Sequence, residues 1–211
     1  MGDLSIPPPD RTPRRYDSPT RREEAAKTRE RIIVAGADLV RGFSTWDWDE
    51  LTFRAVAERA GVSERTVYRN FPTERHLHDA VMARLEDDAG VSYEDIALGD
   101  VAEVTARVFA SLHRFAIEDS GHTPGDPTFA GADVRRQDAL MRAVSAQAPQ
   151  LSDAQRRAAA GLLDVLWSPT TYERLVRAWK LDDSQATGAV EWLIGKVVEA
   201  VTRNELPAGT V

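Results

Sequence analysis

The stretch LTFRAVAERAGVSERTVYRNF, residues 51–71, constrains this chain more than any other. It predicts two helices joined by a sharp turn. Thr52 is placed to cap the first helix, and Leu51, Val56, Ala57 and Ala60 fall on one apolar face at helical spacing. Gly61 ends that helix, because glycine enters the left-handed backbone region without a Cβ penalty, and Val62 fills the angle between the two helices. Ser63 can cap a second helix starting at Glu64.

On that second helix Val67 and Phe71 face inward, four residues apart, and leave Arg65, Thr66, Arg69 and Asn70 outside. Those side chains match base edges: arginine pairs with guanine, asparagine with adenine, and the threonine methyl meets that of thymine. Tyr68 suits a phosphate through its hydroxyl. The same residues would also serve as an ordinary solvated surface, and it is the preceding helix and the Ala60-Gly61-Val62-Ser63 turn that favour a helix-turn-helix laid in a DNA major groove.

The pattern LT…AxxAGVSxxTxYxxF, followed by a new amphipathic helix, resembles the N-terminal domain of the TetR-type transcriptional regulators from Leu51 to Val81. The resemblance covers about the first third of the chain. It implies phosphate roles for Thr52 and Tyr68, backbone or base contact for Arg54, and base contact for Arg65, Thr66 and Arg69. Three features depart from the family pattern. Asn70 stands where histidine is frequent, and Glu74 stands where a phosphate-gripping lysine is frequent, with Arg75 beside it as a replacement cation. The segment Ser44–Glu50 lengthens the link between the first two helices, and its tryptophans, Trp46 and Trp48, are expected to wedge under the first helix.

A formal charge of -7 argues against DNA until the chain is divided. Residues 1–82 hold 14 Lys/Arg and 14 Asp/Glu, so the whole deficit lies in residues 83–211, with 13 and 20. Phosphate attraction acts over a Debye length of about 8 Å, so a local basic face can bind DNA on an acidic protein. Residues 1–20 combine proline and arginine with little hydrophobicity and read as a disordered basic arm, either tracking DNA or inert.

The remaining pattern is helical, with no convincing strand alternation. The first helix is expected over Thr20–Phe43, with Ile32, Ala35, Gly36, Leu39, Val40 and Phe43 inward. A fourth, capped by Thr73, carries Leu77, Ala80, Val81 and Leu85 to about Asp88 and is the natural lever between the DNA-reading unit and the rest. Asp100 to Glu103 has capping-box form opening a helix to about Glu118, with Val101, Val104, Val108, Leu112 and Phe115 in one stripe, widened by Phe109, His113 and Ala116. A Gly/Pro-rich loop at Ser120–Pro127 precedes a helix with Val134, Leu140, Met141 and Val144 inward. Ser152–Gln155 opens another to Trp167, Ser168-Pro169 breaks it, a short helix follows, and Asp182 or Asp183 caps the last, about Ser184–Arg203. The expected architecture is all-α, about nine helices, with a helix-turn-helix domain over 21–82 and a larger helical domain over 83–211 for effector binding and dimerisation.

One helix-turn-helix reads too few base pairs for genomic specificity, which a dimer on a palindromic operator in double-stranded DNA remedies. The late helices, Gln155–Trp167 and Ser184–Arg203, carry apolar and small-residue stripes suited either to a self-pairing bundle or to the core of one subunit; in the resembling family the closing helices pair. The resemblance also implies repression and a small-molecule effector whose pocket lies among the middle helices. Phe109, His113, Met141, Trp167, Tyr172 and Trp179 are candidates for its lining, His113 as the polar handle, although each also suits ordinary core.

With no cysteine, no nucleophile beside a base and no glycine-rich phosphate loop, the sequence points to no enzyme, no cofactor and no metal. His76 and His78 are two apart and lie on different helix faces, against a shared metal. The absence of a leader pattern or an 18-residue apolar run leads to the expectation of a cytoplasmic protein without a membrane partner. The alternative function is a helical protein–protein interaction module without sequence-specific DNA binding.

Overall fold

The computed structural model describes residues 19–44, 48–113 and 129–206, and all regular structure among them is helical. Among the described residues nine α-helices run in order: α1 Pro19–Gly42, α2 Phe53–Ala60, α3 Glu64–Asn70, α4 Glu74–Asp88, α5 Val101–Leu112, α6 Ala130–Gln147, α7 Asp153–Trp167, α8 Pro169–Ala178 and α9 Asp183–Thr202. The expected basic arm, Trp46, Phe115, Ala116 and the Ser120–Pro127 loop lie outside the described residues. No described helix is long and apolar enough to cross a membrane.

The caps follow the sequence closely. Thr52, Ser63, Thr73, Ser152 and Asp182 each accept a hydrogen bond from the backbone N–H three residues on, which satisfies an otherwise orphaned donor of the first turn. At Ser152 and Asp182, Gln155 and Gln185 return the bond to the cap N–H. Asp100 behaves differently from its capping-box reading: its carboxylate accepts from Ala97 N at 3.1 Å and closes the 3-10 turn Leu98–Asp100 before α5, leaving α5 without a side-chain cap.

Helices α1 to α4 form a cluster whose buried side chains include Ile32, Val40, Leu51, Val56, Val67, Phe71, Leu77 and Val81. Gly36 is required at the crossing of α1 and α4, where an added Cβ would stand 2.5 Å from Val81 Cγ2. Ion pairs tie the same two helices together: Arg84 holds Glu30 at 2.6 Å, and Asp88 binds both Arg84 and Arg41. Burial pulls the Asp88 carboxyl upward, but hydrogen bonds and charge from Arg84 and Arg41 outweigh it and leave it below the ordinary carboxylate range.

In the second half α5 packs on α9 and α6 on α7, with Phe109, Leu140, Val144, Leu163, Trp167, Val190, Ile194 and Val201 in the core. Two inward expectations are corrected. Val134 is 57% exposed, because α6 buries Ala132, Ala139, Leu140, Ala143 and Val144 and Val134 falls on the opposite side of the turn. Leu193 is 40% exposed, one position off the buried line of α9 through Ala186, Val190, Ile194 and Val201. Trp48 is buried as expected of an anchor, yet it packs in T-shaped contacts against His78 on α4 and Phe129 just before α6, at ring-centroid distances of 5.7 and 5.2 Å.

Candidate functional site

The turn between α2 and α3 is built as the residues require. Gly61 adopts φ +64°, its N–H donates to Glu58 O, and Val62 N donates to Ala57 O, which returns the chain sharply after the last turn of α2. Ser63 Oγ accepts from Thr66 N at 3.2 Å and starts α3. Val67 and Phe71 are fully buried, so the opposite side of α3 is turned to solvent.

On that side Arg65 and Arg69 are exposed, Tyr68 is 60% exposed, and Thr66 and Asn70 are half-buried. Among the described residues Arg54, Arg65, Arg69 and Arg75 have no ion pair or hydrogen bond. Four exposed cations on α2, α3 and α4 are thus left for an external anion. Thr52 uses its Oγ1 to accept from Ala55 N, which leaves its hydroxyl hydrogen available to a phosphate oxygen. Tyr68 stands edge-on to Phe53 with centroids 5.9 Å apart, an arrangement that fixes the ring while leaving the hydroxyl outward. Asn70 Nδ2 donates to Thr66 O at 2.8 Å, so its amide is engaged within α3 and would have to exchange that bond to read a base.

Arg29 was not singled out by the sequence pattern. It crosses from α1, donates to Asn70 O at 2.7 Å and lies 4.1 Å over the ring of Phe71, closing the C-terminal end of α3. Its signal in the sequence is only its place among the cations Arg21, Arg22, Lys27, Arg29 and Arg31 of the first helix.

Residues 39–81 match the model for bacterial regulatory proteins, tetR family. The matched residues are thus a tetR-type DNA-binding domain. The match runs from the last turns of α1 through α2 and α3 to the first half of α4, the four elements whose packing sets the exposed face of α3. A search of the curated proteins finds no match to the chain. The TetR-type domain makes the chain a DNA-binding transcriptional regulator.

Beyond the TetR-type domain lies a cavity of about 440 Å³ between α4, α5, α6, α7 and the start of α8. Its apolar wall includes Met82, Leu85, Val108, Leu112, Phe129 and Trp167. Its charged and larger polar groups are Glu86, Tyr93, Asp133, Arg136, Gln137 and Asp164, with Glu173 and Arg174 on α8, and the hydroxyls of Ser111, Ser168, Thr170 and Thr171 also border it. Arg136 is held by both Asp164 and Asp133, at 2.6 and 2.9 Å, with its side chain 12% exposed. Burial works to lower the pKa of this guanidinium, but the two carboxylates outweigh it and keep it above the ordinary value. Glu86 takes Arg135 at 2.7 Å and the Tyr93 hydroxyl at 2.8 Å. Burial, with the negative charge of Glu86 beside it, pushes the Tyr93 hydroxyl up, so it remains a neutral donor.

Of the six side chains expected to line a pocket, Trp167 alone borders this cavity. Phe109 does not border the cavity and packs instead against Tyr172 with centroids 4.9 Å apart. Tyr172 is buried with its hydroxyl donating to Asp183 Oδ1 at 2.6 Å, which spends it on joining α8 to α9. Met141 packs on the core one turn beyond the cavity-lining part of α6. His113 is exposed at the end of α5, its Nδ1 against Ala110 O, and so is not the polar handle of this cavity. Trp179 ends α8 at 70% exposure. Aromatic residues fill core as readily as cavities, so their positions in the sequence do not locate this one. The carboxylates and Arg136 were missed because their helices are brought together only by tertiary packing.

Proposed function

We propose that the chain is a homodimeric repressor that places two copies of α3 in successive major grooves of a palindromic operator and is released from it by a small molecule. The observation that carries the DNA reading is the set of uncommitted cations, Arg54, Arg65, Arg69 and Arg75, on a face organised by buried Val67 and Phe71. Arg65, Thr66 and Arg69 read bases, Arg54 contacts backbone or base, Thr52 and Tyr68 hold phosphates, and Asn70 contributes once its intrahelical bond is exchanged.

The dimer reading is supported by an unburied apolar face. Leu162 and Val165 on α7 are 51% and 61% exposed, and Trp192 and Leu193 on α9 are 65% and 40% exposed. Exposed small residues, Ala158 and Gly161 on α7 and Gly188 and Gly195 on α9, lie beside them and permit close approach of symmetry-related helices. Regulation would act through α4. Met82, Leu85, Glu86 and Ala89 border the cavity, while Arg84 and Asp88 of the same helix grip α1 through Glu30 and Arg41. A ligand that favours one setting of α4 therefore shifts the equilibrium between two spacings of the α3 helices, by as much as its affinity for the two settings differs.

Salt and a single substitution test this reading. With about six phosphates neutralised per dimer, operator affinity is expected to fall by roughly a thousandfold between 50 and 200 mM salt. Arg65→Ala should cost about 1–3 kcal/mol per half-site and relax preference at one base position, with the helical circular dichroism unchanged. A salt-insensitive partner, or unaltered base preference in Arg65→Ala, would instead favour a protein ligand for α3.

A further inference from the structure

The cavity's chemistry identifies a class of ligand, an inference that rests on the effector reading above. Its charged groups resolve into three sets. Glu86 is compensated by Arg135, which binds it from α6. Glu173 and Arg174, adjacent on α8, carry opposite charges. Asp133 and Asp164 share the single guanidinium of Arg136, so this set keeps one negative charge in excess.

That excess is in a sheltered place. The two aspartate side chains are only 25% and 24% exposed, beside a wall formed by Met82, Phe129 and Trp167. Each gives one oxygen, Oδ1, to Arg136, and neither Oδ2 has a hydrogen bond among the described residues. Two acceptor atoms with lone pairs to spare, next to apolar surface and under net negative potential, suit an N–H donor that brings its own positive charge. A carboxylate or phosphate ligand would meet repulsion there, in surroundings that screen it less than bulk water does. The acidic balance of residues 83–211 acts in the same sense at longer range, drawing cations toward the entrance.

We propose that the cavity binds a lipophilic ammonium compound, its protonated amine bridging Asp133 and Asp164 and its aromatic or branched body lying against Met82, Phe129 and Trp167. The ammonium completes the charge balance that Arg136 leaves unfinished. The body occupies a volume appropriate to a drug-sized molecule.

Three probes with one hydrophobic body and different ends test this: diphenylpropylamine, diphenylpropanol and diphenylpropanoate, titrated calorimetrically into the full chain without DNA at neutral pH. The amine should bind roughly tenfold or more tighter than the alcohol, and the carboxylate more weakly than either. Asp133→Asn and Asp164→Asn, each made singly, should reduce the amine's advantage several-fold while leaving the alcohol's affinity in place. Equal binding of the three, tightest binding of the carboxylate, no binding of any, or an amine preference untouched in both folded variants would each overturn the proposal. The same probes added to an operator complex separate it from the regulatory reading. An amine preference on the free protein without release of DNA leaves the ligand class standing and removes effector control.

Discussion

Trp192→Glu is expected to yield a folded monomer whose operator affinity has dropped by about a thousandfold or more, the margin that separates specific from nonspecific binding. Trp192 is 65% exposed on α9, while the core side of the same helix is held by Val190, Ile194 and Val201. A carboxylate at position 192 therefore leaves the subunit intact. In the proposed dimer it would be buried against apolar partners, where an unpaired charge costs several kcal/mol and is incurred twice by symmetry. Sedimentation velocity reads the assembly and a gel shift reads the DNA. A Trp192→Glu protein that stays dimeric with full operator affinity would place the self-association face away from α9.

Trp48→Ala should lower global stability by about 3–5 kcal/mol, a large share of the 5–15 kcal/mol typical of a domain. The indole is 2% exposed and makes T-shaped contacts with both His78 and Phe129. His78 Nε2 in turn lies 3.0 Å from Leu51 O, at the entry to α2. Removing the ring thus empties a junction where the link between α1 and α2, the middle of α4 and the start of α6 meet. Because Phe129 also borders the cavity, the same change should weaken the dependence of operator affinity on ligand. Urea unfolding measures the first effect, and operator titration with and without the amine probe measures the second. A loss below about 1 kcal/mol would make the Ser44–Glu50 segment peripheral to the fold.

The parts of this architecture that the sequence announces are those fixed by local rules. Gly61, the Ser and Thr caps and the four-residue spacing of Val67 and Phe71 depend on backbone conformations a few residues long, so the helix-turn-helix can be read directly. Broad apolar stripes are less informative: on α6 and α9 they contain more hydrophobic residues than one face can bury, and nothing local says that Val134 and Leu193 are the ones left out. The DNA-facing side chains are legible because exposure on α3 follows from which two residues are buried. The cavity is not legible, since it lies where several helices fail to meet, and Asp133, Arg136 and Asp164 become neighbours only after α6 has packed on α7. Arg29 is a similar case: its contact with Asn70 and Phe71 spans about forty residues of chain.

The most direct measurement is the selection of bound duplexes from a random DNA pool by the full-length chain. Two-fold presentation of α3 predicts enrichment of an inverted repeat, with half-site centres about 34–36 Å apart or a multiple of that spacing, and Arg65→Ala should blur one position symmetrically in both halves. Recovery of no motif, or of a single unrepeated element bound by one copy of the chain, would contradict the account.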